Sequence, residues 1–385
     1  MSEPLTDVEL QALLERVFHP REPGRRLAIL VDLPDGAVAD TPEWLLRREL
    51  AAGWATALAA AAGRTGHATS LVLYRNVRAA NADLPATAWI HGGAGLPPSA
   101  DALDPAAAEP FPAILERHTI YLAPTQFSTT APLKLWAARL GFRAATMPGF
   151  GPRLVPALRL DYAEVDRRVQ AMKALLDRAT AATIRFAVDG EAEHRLTLDL
   201  RHRTAHASSG LFPQRGTAGN LPSGEAYIVP YEGEREGDPT RSAGELPVQI
   251  GDDVVLYHVE RNRALSVAGD SPAARAEAEL LRREPAYGNL AELGLGVLGD
   301  LGVAPTGDLL LDEKLGLHLA FGRSDHFGGQ VGPAAFSRPE AVIHLDRVYM
   351  PSLQPRVVVR QADLEMPAGA PVPLMRDGAY VVAFG

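Results

Sequence analysis

The sequence predicts an α/β protein in two parts: an N-terminal open α/β domain with a mostly parallel sheet, and a β-rich α+β C-terminal domain. Up to about residue 155, short continuous apolar runs alternate with helical stretches, which is typical of a parallel sheet covered on both faces. Later strand-like segments are separated by turns such as Asp189-Gly190, which favours antiparallel pairing. A chain of 385 residues can form two cores, and we place the domains at 1–158 and 159–385.

The N-terminal domain begins with a predicted helix from Leu5 to Val17, whose expected cap is Thr6-Asp7. Its predicted strands are 25–34, 69–74, 87–91, 118–124 and 142–148, and the helices between them are 43–62 and 132–140. Each strand is a short apolar run, as expected for strands buried on both faces.

The C-terminal domain begins with a predicted amphipathic helix at 160–180, which joins the two halves. Strands are expected at 183–188, 195–200, 226–230, 253–259 and 357–362, with helices at 271–283 and from 312. This order predicts antiparallel sheets with inserted helices.

Composition excludes several classes of function. The net charge is −9 and no basic run occurs, which argues against a nucleic-acid partner. The chain has no cysteine, so disulfides, cysteine nucleophiles and cysteine-ligated metals are excluded. No apolar run approaches the roughly 20 residues of a membrane span, and the N-terminus lacks a signal-peptide pattern. We therefore expect a cytoplasmic protein without a membrane partner.

Two glycine-rich stretches resemble known motifs without their required context. Gly294, Gly296 and Gly299 match G-x-G-x-x-G, but no strand is evident before them and they lie far from the α/β half. The loop that follows His91 resembles an oxyanion-hole loop, but the chain has no G-x-S-x-G elbow. We predict neither a dinucleotide site nor a serine hydrolase.

The polar residues between 292 and 346 form the strongest candidate site. In a strand, His344 and Asp346 would point to the same face, since alternate side chains share a face. His318 lies in a second short apolar run. Two imidazoles and a carboxylate on neighbouring strands would make half of a metal coordination shell.

Two glutamates extend this set. Glu292 begins the stretch, and Glu225 follows the turn G-N-L-P-S-G and precedes a strand. Three carboxylates and two imidazoles are the mixture expected at a two-metal hydrolytic site. The predicted metal ligands are Glu225, Glu292, His318, His344 and Asp346.

The motifs that carry these residues are, in order, N-L-P-S-G-E, A-E-L-G-L-G, L-D-E-K-x-x-x-x-H-x-A-x-G, G-G and I-H-x-D. Over roughly residues 180–370 they resemble the thermophilic metalloaminopeptidase family of the aminopeptidase T type. The resemblance implies two divalent ions (Zn, Co or Mn) on the five ligands and a metal-activated water that cleaves a peptide or amide bond. It also implies a homodimer and a small-molecule or peptide substrate. We take Glu225 and Glu292 as catalytic carboxylates and expect one of them to bridge the two ions.

One position departs from that family. The family has a tyrosine seven residues after the first histidine, where this chain has Asp325, followed by His326. Either group could supply a further ligand or a general base, but neither copies a phenol's donor role. Arg323 and Arg347 flank the site in sequence and are candidates to bind a substrate carboxylate.

An alternative reading stays open. The 2,5-dihydroxypyridine dioxygenases resemble the same family but use one non-haem iron. His318, His344 and Asp346 could form the two-histidine, one-carboxylate arrangement that Fe(II) prefers. Glu225 and Glu292 favour the hydrolase, because a mononuclear oxygenase need not retain them. A metal-free scaffold is a third reading, which five intact ligands disfavour.

Overall fold

The computed structural model describes residues 3–20, 25–93 and 95–384. The chain forms two compact units. The first contains the residues up to Asp166 together with Ser208–Ser223 and Thr306–Leu311, and the second contains Arg167–Ala207, Gly224–Pro305 and the residues from Asp312 onward. The domain boundary placed after residue 158 stays a prediction.

The helices and strands alternate in the first half of the chain, and strands dominate the second. The α-helices of the described residues are α1 (Asp7–Phe18), α2 (Pro42–Ala60), α3 (Ala62–Thr65), α4 (Phe111–Arg117), α5 (Thr130–Leu140), α6 (Val155–Leu158), α7 (Tyr162–Leu176), α8 (Pro272–Arg283) and α9 (Leu309–Asp312). The strands are β1 (Arg26–Leu33), β2 (Ala68–Arg75), β3 (Thr87–His91), β4 (Glu109–Pro110), β5 (Ile120–Ala123), β6 (Arg143–Thr146), β7 (Ala181–Val188), β8 (Ala192–Asp199), β9 (His206–Ser208), β10 (Thr217–Asn220), β11 (Glu225–Ile228), β12 (Ala243–Ile250), β13 (Asp253–Glu260), β14 (Arg263–Ala268), β15 (Leu290–Gly296), β16 (Leu317–Gly322), β17 (His344–Val348), β18 (Val357–Glu365), β19 (Val372–Arg376) and β20 (Ala379–Tyr380).

The first unit is built on a seven-stranded sheet in the order β10-β6-β5-β1-β2-β3-β4. The strands from β10 to β2 pair in parallel, and β3 pairs antiparallel with both β2 and β4. All residues of β1 from Leu27 to Leu33 are buried, as expected for a central strand covered on both faces. The predicted cap of α1 is present, because Thr6 and Glu9 form a reciprocal capping box.

Aromatic pairs fill the core of this unit. The ring of Tyr121 lies 4.6 Å from that of Phe142, and the ring of Tyr74 lies 5.4 Å from that of Phe111. All four side chains are buried. Burial of large apolar side chains stabilises a fold by roughly 1.5–3 kcal/mol each.

The glycine-rich loop after His91 includes Ala94, which lies outside the described residues.

The second unit contains an eight-stranded sheet, β14-β13-β12-β8-β7-β18-β19-β20, whose strand pairs are antiparallel. It also contains a five-stranded sheet, β17-β16-β15-β11-β9, in which β11, β15, β16 and β17 pair antiparallel. The predicted fold class, a mostly parallel α/β domain with a β-rich C-terminal part, is confirmed. None of the helices in the described ranges has both the length and the apolar character needed to cross a bilayer.

Candidate metal centre

The five-stranded sheet brings the five predicted ligands together on adjacent strands. Ligand atoms of Glu225, Glu292 and His318 all lie within 4.8 Å of one another, and we call these residues the first ligand group. Ligand atoms of Glu292, His344 and Asp346 meet the same limit and form the second ligand group. Glu292 belongs to both groups, so the sheet places it between the two histidines.

The carboxylate of Glu292 presents one oxygen to each histidine. Its Oε1 lies 3.3 Å from Nε2 of His318, and its Oε2 lies 3.3 Å from Nε2 of His344. The side chain is almost completely buried. Burial alone would raise its pKa, but the two imidazoles hold the pKa of Glu292 well below its usual range. Glu292 is therefore an anionic bridge between two nitrogen donors.

Both histidines are oriented by backbone carbonyls. Nδ1 of His344 lies 2.8 Å from the carbonyl oxygen of Arg323, so Nδ1 donates and Nε2 is directed at the carboxylates. Nδ1 of His318 lies 3.3 Å from the carbonyl oxygen of Gly316. Metal-binding histidines commonly donate their second nitrogen in this way. Burial opposes the charged imidazole, but the surrounding carboxylates raise the pKa of His318 to about 9.

Glu225 has one oxygen with a partner and one without. Its Oε1 accepts a hydrogen bond from Nζ of Lys314 at 2.6 Å. Its Oε2 is buried, has no hydrogen-bond partner and lies 3.5 Å from Nε2 of His318. A buried carboxylate oxygen without a partner is destabilising, so a cation at this position would satisfy it. The donor set therefore fits a divalent ion.

Two glycines of β15 make room for the site. Gly294 lies opposite His318, and a side chain at 294 would overlap the imidazole. A side chain at Gly296 would overlap the backbone of Lys314. The expectation that no strand precedes these glycines was wrong, since β15 begins at Leu290 and contains both, on the same face as Glu292. Their spacing reflects close approach within a sheet and has no connection with a phosphate loop.

Asp325 and His326 lie in a short 3-10 turn that follows β16. Asp325 forms an ion pair with Arg323 at 2.6 Å, so its carboxylate is already occupied. The ring of His326 lies 5.2 Å from that of His344 in an edge-on contact. Burial, with the nearby charges of His344 and Arg323, lowers the pKa of His326 to about 4. The structure thus brings a neutral imidazole, and not the Asp325 carboxylate, next to the second ligand group.

The two predicted arginines do not reach the ligand groups with their side chains. Arg347 follows Asp346 in β17 and therefore points to the opposite face. Its Nη2 lies 3.3 Å from the hydroxyl of Tyr287 and 3.7 Å from Glu277. The guanidinium of Arg323 pairs with Asp325, and only its carbonyl contributes to the site, through His344.

Three residues of the site were not predicted. Lys314 and Glu313 lie in the L-D-E-K motif just before β16, and Nζ of Lys314 contacts a carboxyl oxygen of both Glu313 and Glu225. Burial, together with the charges of Glu225 and Asp346, raises the pKa of Glu313 to about 8. The sequence feature that could have indicated Glu313 and Lys314 is the charged triplet Asp312-Glu313-Lys314 inside an otherwise apolar segment.

The third unpredicted residue is Tyr227. It shares a face of β11 with Glu225, and its ring stacks on His206 at 5.0 Å and meets Phe327 edge-on at 4.8 Å. Burial and the charges of Glu292 and Glu225 raise its pKa, so the phenol stays protonated. Its position two residues after the predicted ligand was the available signal.

Comparison with known proteins identifies solved structures that have the same fold as this chain. No protein-family model and no curated protein matches the chain. Among solved structures, 2,5-dihydroxypyridine dioxygenase from Pseudomonas putida KT2440 is similar with a TM-score of 0.60 and 15% identity, over 99% of each chain. AmpT from Thermus thermophilus is similar with a TM-score of 0.55 and 18% identity, over 98% of this chain and 99% of that one. The chain has the fold of both proteins. The fold expected from the sequence resemblance is confirmed, and the shared fold does not distinguish a hydrolase from a dioxygenase.

Proposed function

We propose that the protein is a metal-dependent hydrolase that cleaves a peptide or amide bond. The supporting observation is the position of Glu292, which turns one carboxylate oxygen toward each ligand group. A carboxylate shared in this way is suited to hold two cations side by side, the arrangement used by two-metal hydrolases. The sequence resemblance to the aminopeptidase T type and the fold shared with AmpT also support this proposal.

Each ligand group offers oxygen and nitrogen donors without sulfur, which suits zinc, manganese or cobalt. Glu225, Glu292 and His318 would hold one ion, and Glu292, His344 and Asp346 the other. Bound ions of this kind supply Lewis acidity and lower the pKa of water toward neutrality. The buried Oε2 of Glu225, which has no hydrogen-bond partner, is the carboxylate oxygen that such a cation would satisfy.

The remaining polar groups have roles that follow from their protonation states. His326 is a neutral imidazole beside His344, so it can accept a proton from a reacting group or a hydrogen bond from substrate. Tyr227 is protonated and can donate a hydrogen bond to a substrate carbonyl or carboxylate. Asp325 is paired with Arg323 and serves to hold the turn that carries His326.

A second candidate is a mononuclear iron dioxygenase. The likeness to the Pseudomonas putida dioxygenase favours it. Against it, the two histidines belong to different ligand groups, with Glu292 between them. A facial iron site needs two imidazoles and one carboxylate on the same ion.

The deciding experiment is elemental analysis of the purified protein, followed by activity assays. We expect zinc, cobalt or manganese, rising toward about two ions per chain with added metal, and metal-dependent release of amine from aminoacyl amides. His344→Ala and Asp346→Ala should lose both metal and activity, whereas His258→Ala, at an exposed site on β13, should keep both. About one iron per chain with oxygen uptake on dihydroxylated rings would support the dioxygenase instead. The homodimer stays a prediction that light scattering can test.

A further inference from the structure

Lys314 is a buried lysine placed against one of the two ligand groups. Its side chain is 2% exposed, and its Nζ donates to Oε1 of Glu225 at 2.6 Å and contacts Oε1 of Glu313. A buried ammonium is retained only when carboxylates pair with it, because removing it from water is costly. The carboxylate of Glu225 supplies that pairing, and the carboxyl group of Glu313 contacts the same ammonium.

Lys314 contacts a residue of the first ligand group but none of the residues found only in the second. Glu225 belongs to the first ligand group alone. Among the described residues, no hydrogen bond or ion pair joins Lys314 to His344 or Asp346. The second ligand group therefore keeps its carboxylate charge for a metal ion, while the first already neutralises part of its charge with an ammonium.

We propose that Lys314 is a built-in cation that makes the two ligand groups unequal, so that the second group binds the first divalent ion and the first group binds a second ion more weakly. This inference rests on the proposed metal site. The ammonium occupies Oε1 of Glu225, which leaves only Oε2 free for an ion. It also places a like charge next to that ion in a site with little water, where repulsion is only weakly screened.

The test is to remove bound metal from the protein and titrate it with Mn²⁺, with binding measured by calorimetry and by electron paramagnetic resonance. We expect one tight site, and a second at least about tenfold weaker, since repulsion by a buried charge is only weakly screened. At one equivalent the spectrum should show isolated Mn²⁺, and spin-coupled pairs should appear only in excess. Lys314→Met keeps the length of the side chain but removes its charge, and it should tighten the second site by at least about tenfold. Lys173→Met, which removes a partly exposed lysine on α7 that pairs with Asp177, is the control and should change neither site.

Several results would overturn the inference. Two sites of equal affinity in the unmodified protein would do so, as would spin-coupled pairs at one equivalent. A weaker second site in Lys314→Met would mean that the lysine orients Glu225 for the ion. If Lys314→Met does not fold, the titration of the unmodified protein decides alone. If no Mn²⁺ binds even when it is added in excess, the proposed function itself is contradicted. This outcome differs from the ones above, because each of those requires bound Mn²⁺.

Discussion

The imidazole of His318 lies across Gly294, its partner in the paired strands β15 and β16, and fills the space that a side chain at 294 would need. The glycine is not required by its backbone torsion, because its φ is not in the left-handed region. It is required by the ring, which must cross the strand to reach Glu292 and Glu225. The first ligand group therefore depends on the absence of one methyl group.

Gly294→Ala should consequently displace His318. The added Cβ overlaps the ring, and overpacking of this kind typically costs about 1–3 kcal/mol of stability. We expect lower thermal stability and loss of the ion in the first ligand group, with the second group still occupied, as read by Mn²⁺ titration. Gly53→Ala is the control, since a side chain there meets open space in α2. Unchanged binding of both ions in Gly294→Ala would refute this account.

Glu292→Gln tests the shared carboxylate. The substitution keeps the shape but removes the charge between His318 and His344. We expect weaker binding of both ions, whereas Asp346→Asn should weaken chiefly the second ligand group. Metal stoichiometry by elemental analysis after dialysis distinguishes the two. If Glu292→Gln lost only one ion, the carboxylate would belong to a single metal.

Glu232→Gln tests the turn that carries His326. The buried carboxylate of Glu232 accepts hydrogen bonds from Ser324 Oγ at 2.6 Å, from Asn289 Nδ2 at 2.8 Å and from the backbone N–H of Gln330. The amide cannot accept all of these at both of its ends, so the turn should loosen. We expect normal metal content, faster amide exchange around residues 324–330 and lower kcat.

The exposed Glu236 offers a matched control for that experiment. Glu236→Gln should leave exchange and kcat unchanged. Unaltered exchange in Glu232→Gln would show that the turn is held by other contacts, such as the pair between Arg323 and Asp325.

Local sequence patterns were sufficient to predict several features of the fold and of the site. The shared face of His344 and Asp346 follows from the two-residue period of a strand, and the same period places Arg347 on the opposite face. The buried strand β1 was recognisable because a strand covered on both faces is apolar throughout.

Long-range pairing was not available from local patterns. Nothing in Thr217–Asn220 indicates that this segment pairs in parallel with Arg143–Thr146 in the first unit. Likewise, Lys314 could not be placed beside Glu225, because the contact joins residues far apart in sequence. The role of Gly294 depends on which residue pairs with it across the sheet, and strand register is a property of the folded chain.

The stability of the first unit should fall in mild acid, in part through His118. This buried imidazole donates from Nδ1 to the carbonyl oxygen of Ile114 at 2.9 Å and accepts from the hydroxyl of Ser70, 3.1 Å from Nε2. Burial lowers its pKa below the value of about 6.5 expected in the unfolded chain. Below that value the unfolded state binds more protons, so this contribution to stability is complete above about pH 6.5 and is lost as the pH falls through the folded-state pKa. The measurement is the free energy of unfolding in urea at about pH 7.5 and about pH 5.5. Between these two pH values it should fall less for His118→Gln than for the unmodified chain. The control His258→Gln, at an exposed position, should behave like the unmodified chain. Equal losses in His118→Gln and the unmodified chain would show that His118 is not a source of the acid sensitivity.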